Sequence, residues 1–144
     1  MILALFVAFL SPIPVCIHSS AEMFRPEIIS AVAMWNGDVE FMRVKACDSD
    51  TPGVITISVG RATPYYAWTW APWMPEPLAR DIVLSDVHPW VSVGSRQTER
   101  IIAHELGHAL GLMHSSVDLS VMHDPPGIGV LPNDLEAARA AFRP

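Results

Sequence analysis

The sequence predicts a single α+β domain, and three observations predict it. Short segments of strand character, at 39–44, 54–59, 65–71 and 81–87, lie between stretches with helical signals. Those helical signals stand at 26–35, ahead of residue 110 and after residue 131. The chain also has 144 residues with 51% apolar content, enough for one compact domain with a real core. No internal repeat or low-complexity segment interrupts it. The net charge is −6 and the nine Lys and Arg residues form no run, which argues against a nucleic-acid partner.

Taken in order, Met1 to Leu10 is uninterrupted apolar sequence. It is too short to cross a bilayer, which takes about 20 residues. It reads as the apolar region of a secretory signal, with only the α-amine in place of a positive leading region. Ser19-Ser20-Ala21 is an acceptable cleavage site before Glu22, which divides the chain into a leader at 1–21 and a domain at 22–144. The expected product is secreted, monomeric and without a stable membrane span. Two alternatives stay open: the apolar stretch as a buried strand, and earlier processing that keeps Ile13 to His18 as the first strand. Cleavage after Ala21 would leave Cys47 as a single thiol. Retention would let Cys16 and Cys47 close a disulfide in an oxidising compartment.

Pro26 to Trp35 reads as an amphipathic helix, with Pro26 at a helix-start position and Ile28, Ile29, Val32 and Ala33 apolar. Asn36-Gly37 ends it. Val39 to Val44 alternates, and Val54 to Val59 is β-branched at its apolar positions between Gly53 and Gly60. Tyr66, Trp68 and Trp70 alternate with Ala67, Thr69 and Ala71, and Pro64, Pro72, Pro75 and Pro77 bracket them, as suits an edge strand. Asp81 to Val87 is a fourth strand. Ser95 is placed to cap the next helix, and Pro132 or Asn133 opens the last one.

The most informative segment is His104 to His114, which reads H-E-x-x-H-x-x-G-x-x-H. Residues four apart share a helix face, so His104 and His108 can present imidazoles to one ion. Gly111 tolerates the left-handed conformation of a helix end, and the chain can then turn back to bring His114 to the same ion. Glu105 stands beside the first ligand, within reach of a water but outside the coordination set. Three protein ligands leave one position open, the mark of a catalytic zinc. Chance agreement at these five positions is on the order of one in ten million per window.

This extended motif resembles that of the metzincins, and within them the matrixins. Met122, in Ser120-Val121-Met122-His123-Asp124-Pro125, lies at the matrixin offset for the methionine turn. His114-Ser115-Ser116 opens the intervening loop as in matrixins. Met113 precedes the third histidine and is too early for that role. His123 is a wall residue in this reading, because a fourth histidine would close the open position. The resemblance implies a twisted sheet of four or five strands, mostly parallel with one antiparallel edge, and three helices. It also implies that a peptide lies along the edge strand at Tyr65 to Ala71, with Tyr66, Ala67 and Trp68 as substrate-binding residues. A short first strand is usual in such domains. The family's propeptide cysteine motif is absent around Cys16. Its second, structural zinc would need histidines where Trp68 and Val83 stand, so one zinc is expected. Asp48, Asp50, Asp81 and Asp86 show no EF-hand spacing, and calcium has no support in them.

The function the resemblance implies is hydrolysis of peptide bonds. Histidines 104, 108 and 114 hold zinc, Glu105 is the general base, Met122 is a floor, and the loop from Asp124 to Asn133 forms one wall. Two other classes are a zinc-containing peptide-binding module that does not cleave, and a protease fragment that needs a partner. Retention of Glu105 counts against the first.

Overall fold

The computed structural model describes residues 12–47, 55–61, 65–70, 80–87 and 90–142. The apolar stretch at 1–10, Asp48, Asp50, Val54, Ala71 and the prolines at 64, 72, 75 and 77 lie outside the described residues. Five strands form one sheet: β1 (Ile13–Ile17), β2 (Met42–Lys45), β3 (Ile55–Gly60), β4 (Ala67–Thr69) and β5 (Asp81–Ser85). Their order is β2-β1-β3-β5-β4. All neighbours run parallel except β4, which lies antiparallel to β5 at the edge. The expected mostly parallel sheet with one antiparallel edge is therefore observed.

The register puts one set of side chains on a common face. Ile13 stands beside Met42, Val15 beside Ile55, Ile17 beside Ile57, Ile57 beside Ile82, and Leu84 beside Ala67. Every one of these is buried. Alternation of period two is what allows a single sheet face to be this uniformly apolar. Against it pack α1 (Arg25–Asn36), beside β2, and α3 (Ser95–Ala109), beside β4 and β5. Trp35, Ile28 and Val32 of α1 join Ile102, Ala103 and Leu106 of α3 in the core. A last helix, α4 (Pro132–Ala141), closes the chain. Together α1, α3 and α4 are the three helices expected. A 3-10 segment (Ser19–Phe24) and a single-turn helix α2 (Trp90–Val93) are additional.

β1 is built from residues that a cleavage after Ala21 would remove. It sits between β2 and β3, and Cys16 on it is joined by a disulfide to Cys47 just beyond β2. Among the described residues, Ile13–Ile17 thus takes a central place in the sheet.

β4 and β5 are shorter than expected, Ala67–Thr69 within 65–71 and Asp81–Ser85 within 81–87, and two other departures have a local reason. β2 begins at Met42, not Val39, because the Asn36 side chain spans the turn after α1. Its Oδ1 accepts from the amides of Phe41 (2.9 Å) and Met42 (2.7 Å), and its Nδ2 donates to the Met42 carbonyl (2.9 Å). Those backbone groups are satisfied locally until the strand can start. At α3, Gly94 takes the N-cap position at φ 80°, and Ser95 is the first helical residue. The Ser95 hydroxyl donates to Glu27 Oε1 (3.1 Å) on α1, tying two helices together instead of capping one.

Candidate metal centre

α3 carries the histidine motif on its last turns, and its ending decides where the third histidine goes. The helix closes with the Gly111 amide donating to the His108 carbonyl (3.0 Å) and the Leu112 amide to the Gly107 carbonyl (2.9 Å). With Gly111 at φ 105°, this is the paired bonding of a Schellman motif. The chain reverses there, and His114 comes back to the helix it has just left.

The result is a convergence of three Nε2 atoms. His104 and His108 are 3.1 Å apart, His104 and His114 3.2 Å, and His108 and His114 3.2 Å. On the far side of two rings the other nitrogen is engaged by the backbone. His104 Nδ1 lies 2.7 Å from the Val121 carbonyl, and His108 Nδ1 lies 2.8 Å from the Leu112 carbonyl. A carbonyl only accepts, so each Nδ1 carries the hydrogen and each Nε2 turns a lone pair to the centre. Lone pairs meeting at such distances repel unless a cation lies between them. A tetrahedral ion with Zn–N bonds of 2.0–2.1 Å sets its ligand nitrogens about 3.3 Å apart, so the spacing fits zinc. Among the described residues this trio is the one group of His, Cys, Asp or Glu gathered in the manner of a metal site.

Burial prepares the nitrogens for that role. It lowers the pKa of His104 to about 4, and the neighbouring His108 and His114 add to the effect, while the Val121 carbonyl opposes it. His108 is lowered for the same first reason. Neutral imidazoles are the form a metal needs. Glu105 behaves in the opposite sense: burial raises its carboxyl to about 7, and a hydrogen bond from Thr69 pulls it partway back. Thr69 Oγ1 sits against Glu105 Oε2 and lies 3.2 Å from the Glu105 carbonyl.

The methionine turn is braced from two directions. Met122 is buried, and its amide donates to Ser120 Oγ (3.0 Å). The Ser120 hydroxyl in turn donates to the buried Asp134 carboxylate on α4, at 2.8 and 2.9 Å from its two oxygens. Asp134 also accepts from the Leu131 amide (2.8 Å), which secures the start of α4. The Met122 carbonyl accepts from the Ser115 amide (2.9 Å), so the turn holds the segment that delivers His114. On its helix side Met122 packs on Gly107, where there is no room for a Cβ.

β4 runs alongside this centre. Tyr66 is paired to Ser85 and Trp70 to Asp81 by backbone bonds, so the even-numbered residues of the strand spend their main-chain groups on β5. The amide and carbonyl groups of Ala67 and Thr69 therefore point to the edge that is unpaired among the described residues. Their side chains are buried toward α3, whereas Trp68 lies on the opposite face, across from Val83 and against Tyr65 at 5.3 Å. Tyr66 packs on Trp90, with ring centroids 5.6 Å apart. His123 stands apart from the trio, with Nδ1 3.0 Å from the Pro125 carbonyl and Nε2 3.4 Å from Asp118.

The structure thus gathers His104, His108 and His114, sets Glu105 at their side and buries Met122 beneath Gly107. It also shows four residues that the motif does not contain. Thr69 was legible only as an inward position of an alternating strand. Ser120 and Asp134 carry a weak signal, an acidic residue in the first turn of a helix, and Trp35 carries none for its bond to the Ala103 carbonyl (2.8 Å).

This fold is shared with archaemetzincin from Methanopyrus kandleri, which is 14% identical, with a TM-score of 0.61 over 94% of this chain and 98% of that one. Myroilysin is 19% identical over 72% of this chain and 49% of its own length, with a TM-score of 0.49. The chain thus shares that fold and gathers three histidines in the manner of a metal site. More narrowly, residues 66–127, from the edge strand through the methionine turn, match the model of the matrixin family. No curated protein matches the sequence.

Proposed function

We propose that the chain is a zinc-dependent endopeptidase that holds one zinc ion on His104, His108 and His114. The observation that carries this reading is the convergence of three Nε2 atoms at 3.1–3.2 Å, two of them oriented by backbone carbonyls. Zinc, when bound, supplies a Lewis acid that makes a water acidic near neutral pH and polarises a carbonyl. The other work falls to the chain. Glu105 takes a proton from the attacking water and delivers it to the leaving nitrogen. Its buried carboxyl, with a pKa raised to about 7, is matched to both halves of that transfer. Met122 forms the floor and the loop from Asp124 to Asn133 a wall.

The peptide lies along β4, fixed in register by the main-chain groups of Ala67 and Thr69. Tyr66 and Trp68 flank that strand and contribute surface, not ladder bonds. The Cys16–Cys47 disulfide supports an exported protein in an oxidising compartment, with its leader removed ahead of Ile13 so that β1 is kept. Among the described residues no helix is long and apolar enough to cross a membrane.

The test is a paired measurement on the purified chain and its Glu105→Ala variant, counting zinc per chain and following cleavage of a mixed peptide library. One zinc in both and internal cleavage by the wild type alone is the expected result. One zinc in both with cleavage by neither would leave a peptide-binding module or a protease that needs a partner.

A further inference from the structure

Thr69 is the residue at which the open edge of the sheet and the carboxylate beside the metal centre meet. Its backbone amide and carbonyl face the free edge of β4, because the neighbouring even-numbered residues take the bonds to β5. Its side chain, on the opposite side of its own backbone turn, is buried and touches α3. The hydroxyl there meets Glu105 twice, at Oε2 and, at 3.2 Å, at the main-chain carbonyl. Glu105 is itself only 9% exposed, and Thr69 meets its carboxylate across 36 residues of sequence.

We propose that Thr69 is a positioning residue for Glu105, holding one carboxylate oxygen so that the other is aimed at the water. This rests on the reading of Glu105 as the general base. A Glu side chain has three rotatable bonds, and a carboxylate that must accept a proton from one atom and return it to another loses rate when those bonds are free. The hydroxyl restricts them. It donates one hydrogen, engages Oε2, and leaves Oε1 for the proton. Because the same residue presents main-chain groups to the edge, the seat of the peptide and the aim of the base share one rigid point. A side-chain substitution at 69 should then separate the two roles: the edge stays and the aim is lost.

The experiment compares wild type with Thr69→Val, which keeps shape and removes the donor, and Thr69→Ser, which restores it. In steady-state cleavage of a defined peptide, Thr69→Val should lower kcat roughly 10- to 100-fold, the worth of a hydrogen bond to a charged group, with KM within about twofold. Thr69→Ser should recover to within about threefold of wild type, and zinc per chain should not change. A loss confined to KM, or a Thr69→Ser variant no better than Thr69→Val, would overturn the proposal. A second readout needs no turnover: urea unfolding of the metal-free chain. There Thr69→Val should lower the midpoint in the wild-type background and shift it much less in the Glu105→Ala background. Equal shifts in both backgrounds overturn the contact as the role of Thr69. Wild-type protein without peptidase activity, but with this unequal pair of shifts, would sink the endopeptidase reading and leave the contact standing.

Discussion

Gly107 is buried in the middle of the histidine helix, where alanine is ordinarily the better residue. Replacing glycine by alanine inside a helix gains up to about 1 kcal/mol from backbone entropy alone. The space around Gly107 opposes that gain. A Cβ built there would stand 2.9 Å from Trp35 Cζ2 and 3.0 Å from Met122 Cε, and closer still to Met122 Sδ. Carbon atoms are at their optimum separation near 3.5–4.0 Å. Neither neighbour can step aside. Trp35 is fully buried and its indole donates to the Ala103 carbonyl, and Met122 is 1% exposed with its amide fixed on Ser120. Overpacking of this kind costs about 1–3 kcal/mol.

Gly107→Ala should therefore be destabilised by about 1–2 kcal/mol, or roughly 3–8 °C in Tm for a chain of this size. Displacing Met122 also displaces Val121, whose carbonyl orients His104, so zinc affinity should fall about 10- to 100-fold. Thermal unfolding of the metal-free chain and a zinc titration against a chelator measure the two effects. The decisive comparison uses Met122→Ala, a change that empties the crowded side. In that background the Gly107→Ala penalty should shrink by about 1 kcal/mol or turn into a gain. A Gly107→Ala protein as stable as wild type in both backgrounds would refute the steric reasoning.

Other outcomes follow from the same contacts. In the metal-free chain His104, with its pKa at about 4 against 6.5, contributes stability that is present above 6.5 and lost as pH falls through about 4. Glu105, raised from 4.5 to about 7, contributes stability that is present below 4.5 and lost as pH rises through about 7. The two oppose each other, so a Glu105→Gln variant should show the histidine effect uncovered, losing roughly 3 kcal/mol between pH 6.5 and 4 in denaturant titrations. Ser120→Ala removes the bridge between Asp134 and the Met122 amide, and the unfolding free energy should drop by about 1–3 kcal/mol. Reduction of Cys16–Cys47, which closes a span of 31 residues, should cost about 3–4 kcal/mol in the same assay. A reduced chain that unfolds at the oxidised midpoint would count against the disulfide as a clamp on β1.

The parts of the site that sequence made legible are those in which chemistry and local geometry coincide. His104 and His108 are one helical turn apart, and Gly111 has no Cβ to resist φ 105°, so the return of His114 could be read from neighbouring residues alone. The edge position of β4 was legible from its prolines and short alternation. What escaped depends on partners far along the chain. Ser95 looked like a cap because serine is a good one, but its hydroxyl is taken by Glu27, 68 residues away. Asn36 marked the end of α1 correctly, while its bonds to Phe41 and Met42 delayed β2 in a way no propensity records. Thr69 acquires meaning only when β4 is laid on α3. The strand at Ile13–Ile17 depends on parallel pairing with two later strands, a non-local contact with no pattern of its own.

The edge of β4, unpaired among the described residues, has a cost in solution as well as its proposed use. Unpaired amides and carbonyls on a sheet edge will bond to any extended chain, including a second copy of the protein. β4 offers only three residues, and its outward main-chain groups come from two of them. Self-recognition through so short a ladder is weak, whereas a peptide that also reaches three histidines and a carboxylate gains contacts that a neighbouring sheet cannot make. If β4 seats a peptide as proposed, lengthening the strand would tighten that grip and, by the same bonds, invite aggregation. The brevity of β4 sets the balance between them.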